Sequence, residues 1–407
     1  MANIAKIQTL LNDTAKAIRA KYGLPNIAGV IVRDNGNTIM NTIQGVKNSS
    51  LSATAASNQM TTSDYFNVGS LSKPITGFLL ACLIKKGILS WDTTIEDVFP
   101  EFKSKVFRDR SGMNDTFLKV KVYELMAHVS GMNGTQYHPD YDPVKKPDAH
   151  SRETDPFRFI QDQGLTAGGN SRDPEWMTNE SLFYQRYLFT VLSMKKKKYQ
   201  YHSTLNMGYQ NQHVSGYGAT VTICAAMAER KTGKVWEQLM DELLAGPLQG
   251  QFNIKYGNLS NGAQFHYYNG QKYVPNPNLD TPLMRYSSKF PTGDIHCTVG
   301  GMAQYIRYNL PALNYTQLFD VQQYHEPVTD AAKGGLVLSG GPVEKQHFWH
   351  TGSTGSSLAV VRIYAAAGRG VAVMMNCGGG PKDADANTAQ SELLEKLEEI
   401  NKNWDTI

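Results

Sequence analysis

The sequence predicts an α/β (α+β) chain in which an antiparallel sheet flanked by helices is joined to a mostly helical lobe. Three observations carry that expectation. β-branched runs paired across turn signals stand near both ends of the chain, helical periodicity and long polar loops fill its middle, and 407 residues suffice for a large core in two or three domains.

Taken in order, the polar amphipathic opening Ile4 to Asp13 predicts a helix, with no apolar core or cleavage site of a signal peptide. Ala28–Arg33 and Thr38–Ile43 flank Asp34-Asn35-Gly36, the pattern of a hairpin. Ile75, Phe78, Leu79, Cys82 and Leu83 then recur at helical spacing, with Lys85 and Lys86 in the last turn and Gly87 as the stop. Pro74 is tolerated only in a first turn, so this helix starts near Ser70. Tyr137 to Met177 and Asn253 to Asn278 are dense in polar and turn-forming residues and read as long excursions. Leu358–Tyr364 and Val371–Met375, joined by Ala365–Gly370, predict a second strand pair, and Glu392 to Lys402 reads as a closing helix. The expected organisation is a discontinuous sheet lobe from residues 1–60 and 290–407, and a mostly helical lobe from 61–289. No internal repeat is present.

Composition narrows the function classes. Lys and Arg number 40 against 36 Asp and Glu, a balance of +4, and charged residues make up 19% of the chain against the usual ~25%. A strongly basic nucleic-acid binder and an acidic disordered tail are both excluded. Lys195 to Lys198 has no interleaved aromatics and reads as a solvated loop. Gly77 to Ile84, the longest strongly apolar stretch, falls far short of the ~20 residues of a membrane span. Cys82, Cys224, Cys297 and Cys377 form no Cys-x-x-Cys pair and are expected to be buried free thiols. The lack of a leader predicts a cytoplasmic protein, unless the chain is a trimmed secreted or periplasmic form.

The chemistry concentrates at Phe66-Asn-Val-Gly-Ser-Leu-Ser-Lys73. Ser70 stands at a helix N-terminus, and Lys73, three residues on, shares its face. A serine hydroxyl is a weak nucleophile until a base takes its proton, and a buried lysine can be that base. The spacing alone is weakly specific: Ser193-Met-Lys-Lys196 repeats it by coincidence, with no apolar helix close behind.

The surrounding phrases are more specific. Phe-x-Val-Gly-Ser-Leu-Ser-Lys, then Gly87-Ile-Leu-Ser-Trp-Asp92, Val98-Phe-Pro-Glu-Phe102 and Val122 to Met132, resemble the serine β-lactamase-related family of class C β-lactamases, DD-peptidases, D-aminopeptidases and family VIII carboxylesterases. Phe348-Trp-His-Thr-Gly-Ser353 resembles the family's Lys/His-Thr-Gly strand. These landmarks keep family order from about residue 25 to about residue 376. The resemblance implies a β-lactamase/transpeptidase-like fold, a Ser70 acyl-enzyme, an oxyanion hole from the backbone N–H groups of Ser70 and Ser353, and His350 on the wall opposite the nucleophile. It also implies a proton-shuttling tyrosine. Tyr201, with Ser203 two residues on, fits the aromatic-x-Tyr-x-Ser form and is preferred, while Tyr209-Gln-Asn211 matches Tyr-x-Asn and stays open. His128 reads as a brace for a turn after a helix, since no second ligand stands at metal spacing.

Class C β-lactamases carry lysine where this chain has His350, and a neutral histidine removes a fixed charge facing a substrate carboxylate. No Gly-x-Ser-x-Gly elbow is present, which excludes an α/β-hydrolase nucleophile turn. The leading expectation is an SxxK serine hydrolase acting on a small-molecule ester, amide or peptide, most of all an esterase or a D-amino-acid amidase or peptidase, without metal or organic cofactor. An acyltransferase or β-lactamase on the same site, and a non-catalytic penicillin-binding-like scaffold, are the alternatives.

Overall fold

The computed structural model describes residues 3–103, 118–130, 219–245, 252–256, 263–276, 290–340, 342, 345–378 and 384–407. Tyr201, Ser203, Tyr209, Lys195–Lys198 and the excursion from Tyr137 to Met177 lie outside the described residues.

The amphipathic N-terminal segment forms helix α1 (Ile4–Lys21), opened by Asn3, whose side-chain oxygen accepts the Lys6 N–H. Strands β1 (Asn26–Arg33) and β2 (Thr38–Gly45) make the expected hairpin, with Ile31 opposite Met40. There follow β3 (Phe66–Asn67), α2 (Ser72–Lys85), α3 (Val122–Met126), α4 (Ala219–Thr232), β4 (Ile254–Tyr256) and the hairpin β5 (His266–Tyr268) with β6 (Tyr273–Pro275). The chain then returns through β7 (Ile295–Cys297), α5 (Val299–Tyr308), β8 (Val337–Leu338), β9 (Phe348–Ser353), β10 (Leu358–Tyr364), β11 (Arg369–Met375) and α6 (Ala384–Lys402).

Both ends of the chain build one antiparallel sheet, in the order β2-β1-β11-β10-β9-β8. Its central strands are apolar on both faces, which is why β1 and β11 read as continuous runs rather than alternating ones. Ile27 and Ile31 of β1 and Val371, Val373 and Met375 of β11 pack beneath α1 and α6, against Ile7, Leu11, Leu393 and Leu397. Ala28, Val30, Val32, Ala372 and Met374 face the other way, into the core that contains α2. A side chain of this size contributes about 1.5–3 kcal/mol when fully buried.

Helix α2 is the centre of that second core, buried continuously from Ser72 to Leu83. Such a helix presents no polar face, so neighbours must enclose it on every side. Phe78 meets the rings of Phe252, Tyr305, Tyr308 and Phe319 at centroid distances of 4.6–6.5 Å. Pro74 lies in the first turn, as its chemistry requires, and its carbonyl accepts the Tyr324 hydroxyl at 2.7 Å.

The middle of the chain holds more β structure than periodicity predicts. β3, β7 and β4 form a three-stranded sheet, and part of the Asn253–Asn278 excursion folds as β4, β5 and β6. Strands of two or three residues are too short for alternation to register. Helix α6 likewise begins at Ala384, ahead of the expected Glu392. The four cysteines are buried and free. No helix among the described residues is long and apolar enough to cross a membrane.

Candidate active site

Ser70 sits in a single 3-10 turn, Gly69–Leu71, that joins β3 to α2. The turn exists because Gly69 adopts φ +52°, a left-handed conformation that side chains disfavour. Its neighbours fix it further. Asn67 Oδ1 accepts the Gly69 N–H at 2.7 Å, and the Ser72 hydroxyl donates to the Gly69 carbonyl at 2.6 Å while accepting the Ile295 N–H at 3.0 Å.

One helical turn along, Lys73 Nζ lies 2.6 Å from Ser70 Oγ. Lys73 is only 3% exposed, and burial pushes its ammonium down from an ordinary 10.5 to about 7. Ser70 itself is half-buried, open enough to meet a substrate.

The opposing wall is β9, held by β10 through the pairs His350↔Val361 and Ser353↔Leu358. Its alternation turns His350 and Gly352 inward and Thr351 and Ser353 outward. β9 and the Gly69–Leu71 turn approach so closely that neither contact residue tolerates a side chain. A Cβ on Gly352 would lie 1.8 Å from the Val68 carbonyl oxygen and 2.9 Å from the Ser70 nitrogen, and one on Gly69 would lie 2.5 Å from the Ser353 nitrogen. The main-chain nitrogens of Ser70 and Ser353 are therefore neighbours where β9 meets that turn.

His350 is fully buried, its Nδ1 2.5 Å from the Thr351 carbonyl oxygen. Burial, together with the charge of Lys73, pushes the imidazole down to about 3, so it is neutral throughout the physiological range. His128 is held down to about 3 by the same two causes. This histidine follows α3 at φ +59°, with Nδ1 3.3 Å from Thr220 Oγ1 of α4, so it braces the turn as its sequence context suggests. Its coupling to Lys73 makes it part of the site's electrostatics as well. Among the described residues no group of three His, Cys, Asp or Glu is placed to hold a metal ion.

The family model for beta-lactamase matches residues 11–395. The chain belongs to the beta-lactamase family. Solved structures agree at the level of fold. SurE aligns with a TM-score of 0.62 at 16% identity over 97% of this chain and 76% of that one. The octameric penicillin-binding protein homologue from Pyrococcus abyssi gives 0.57 at 17% identity over 97% and 78%. The D-amino acid amidase from Ochrobactrum anthropi SV3, complexed with L-phenylalanine amide, gives 0.60 at 14% identity over 96% and 99%. No curated protein matches the sequence.

Of the residues singled out in this beta-lactamase-family sequence, Ser70, Lys73, His350 and Ser353 stand close together where β9 meets the Gly69–Leu71 turn. Tyr201 and Ser203 lie outside the described residues. Sequence reasoning passed over Asn67 and Ser72, though both stand within the same short phrase as Ser70. It also passed over Asp294 and His296, whose spacing on β7 and the residue before it puts both side chains on one face.

Proposed function

We propose that this protein is an SxxK serine hydrolase that cleaves a small-molecule ester or an amino-acid amide through an acyl-enzyme on Ser70. The observation that carries the reading is the 2.6 Å contact between Ser70 Oγ and a buried Lys73 whose pKa falls to about 7. Neutral Lys73 takes the hydroxyl proton as Ser70 Oγ bonds to the substrate carbonyl carbon. The carbonyl oxygen becomes an oxyanion between the Ser70 and Ser353 N–H groups, donors that supply a few kcal/mol by being in place beforehand. Collapse breaks the ester or amide bond, and the leaving alcohol or amine departs with the proton that Lys73 holds. Water then attacks the acyl carbon, its proton returns by the same base, and the carboxylic acid and free Ser70 are regenerated. Tyr201, or Tyr209 in its place, relays the proton between Lys73 and the leaving group.

Simple esters and D-amino-acid amides or peptides rank above penicillins. His350 carries no charge at neutral pH, so the β9 wall offers no fixed cation there for a β-lactam carboxylate. The shared fold with a D-amino acid amidase supports the amide arm.

Intact-mass spectrometry after incubation with an activated ester, a fluorophosphonate and benzylpenicillin tests this directly. The expected result is a covalent adduct from the ester and the fluorophosphonate on wild type, none on Ser70→Ala, and little or none from penicillin. Wild type and Ser70→Ala behaving alike would remove the nucleophile and leave a binding scaffold on the same fold.

A further inference from the structure

We propose that Asn67 and Ser72 are positioning residues that together aim the Ser70 N–H, fixing the oxyanion donor by holding the peptide groups on both sides of Gly69. The inference rests on the proposed acyl-enzyme chemistry and adds to it two residues that touch neither the substrate nor the reacting atoms.

The peptide group is planar and trans, so the direction of the Gly69 carbonyl sets the direction of the Ser70 N–H, which points the opposite way. Ser72 Oγ donates to that carbonyl at 2.6 Å and is itself held by the Ile295 N–H at 3.0 Å. The hydroxyl is wholly buried, so this bond meets no competition from water. On the other side of Gly69, Asn67 Oδ1 accepts the Gly69 N–H at 2.7 Å and so fixes the φ rotation that the glycine would otherwise leave loose.

Asn67 is in turn held through its side-chain nitrogen and its backbone N–H. Its side-chain nitrogen donates to Asp294 Oδ1 at 2.9 Å and stands 3.2 Å from His296 Nε2. Its backbone N–H donates to Asn376 Oδ1 at 3.1 Å, and cross-strand pairing puts it opposite His296. The Asn376 side chain donates to the Tyr65 carbonyl at 2.9 Å, and its backbone N–H donates to Asn26 Oδ1 at 2.9 Å, which ties the cluster to β1. Asn67 Oδ1 is also 3.4 Å from the Ser357 hydroxyl, in the turn that follows Ser353. One carboxamide therefore bonds to the turn that carries the first oxyanion donor and to the turn next to the second. A buried asparagine serving stability alone needs only satisfied bonds; this one spends its acceptor on the residue before the nucleophile.

The test uses the full chain with p-nitrophenyl acetate as substrate and phenylboronic acid as a probe whose tetrahedral adduct on Ser70 reads oxyanion stabilisation. Asn67→Ala is expected to lower kcat by about 10- to 100-fold with KM within about threefold, and to weaken boronate inhibition by a similar factor. Ser72→Ala should lose about tenfold in both readouts, and Ser72→Thr, which keeps the hydroxyl, should recover most of it. Asn309→Ala serves as the comparison. Asn309 is equally buried and bonds Tyr305 and His325 away from the cleft, so its loss should lower the melting temperature and leave kcat and boronate affinity within about twofold. If Asn67→Ala does not fold, the Ser72 pair decides. Folded Asn67 and Ser72 variants with wild-type kcat and boronate affinity, or losses matched by Asn309→Ala, overturn the inference. A wild type that forms no adduct on Ser70 overturns the nucleophile itself and this inference with it, whereas a reactive wild type with indifferent variants overturns the positioning role alone.

Discussion

Two buried polar clusters meet behind Ser70, one gathered from Lys73, His128 and His350, the other from Asn67, Asp294, His296 and Asn376. In the first, burial and the Lys73 charge hold both histidines at about 3, while burial alone brings Lys73 to about 7. In the second, neutral amides, a carboxylate and an imidazole hydrogen-bond one another at 2.9–3.2 Å. Low dielectric thus acts in opposite senses a few residues apart. It makes a proton costly to hold at one cluster, so that Lys73 is neutral and able to act as a base near pH 7, and it makes misplacing a dipole costly at the other. A serine nucleophile needs both, a base poised near neutrality and donors that do not move.

The largest effect separating the clusters should come from Lys73→Met. Loss of the base is expected to lower ester turnover by about a thousandfold at pH 8, measured as kcat/KM, while the melting temperature rises, because a buried amine is exchanged for an apolar chain. The stability gain has a sign that can be checked. Between about 7 and its ordinary 10.5 the unfolded chain binds the Lys73 proton and the folded chain does not, so wild-type stability from this group rises with pH across that window. The variant should lose that slope.

Next in size, Gly352→Ala attacks the contact between the two walls rather than either cluster. Its Cβ would lie 1.8 Å from a backbone oxygen that no rotamer can move aside, so β9 or the Gly69–Leu71 turn must shift. Ester turnover should fall by about 100-fold, with the intact-mass adduct forming correspondingly slowly. Little change would show that the two main-chain nitrogens need not be held at their present separation.

The smallest expected effects are those of pH. Turnover of a neutral ester should rise about tenfold per unit up to about pH 7 and level off above it, as Lys73 gives up its proton. Stability should decline as pH falls from the ordinary histidine value of 6.5 toward 3, since the unfolded chain takes up protons there that buried His128 and His350 refuse. His350→Gln should flatten part of that decline in acid denaturation while leaving turnover at pH 8 within a fewfold.

Legibility in the sequence followed the length of the signal. Ser70 and Lys73 were readable because i and i+3 share a helix face and Pro74 marks the first turn. The long strand pairs at both chain ends were readable because seven or eight residues carry an unmistakable β-branched pattern. β3 and β7 were not, being two and three residues long, and so the partnership of Asn67 with His296 across a gap of 229 positions was hidden with them. The neutrality of His350 was expected from its ordinary pKa, but its depth was not, since burial is a property of the fold around it. The choice between Tyr201 and Tyr209 turns on residues outside the described ones and rests with mutagenesis of each.

The pairing of Ala28 with Met374 sets the order in which the protein can assemble. During synthesis α1 and the β1–β2 hairpin emerge first, with the outer edge of β1 and the apolar face that later meets α2 uncovered, and β11 follows only after the whole middle of the chain. At roughly 5–20 residues per second that interval lasts some tens of seconds. Through it the hairpin is an aggregation-prone edge, and the Gly69–Leu71 turn has yet to meet β9. Production of active protein should therefore depend on what shields the nascent N-terminal segment as much as on the stability of the finished fold.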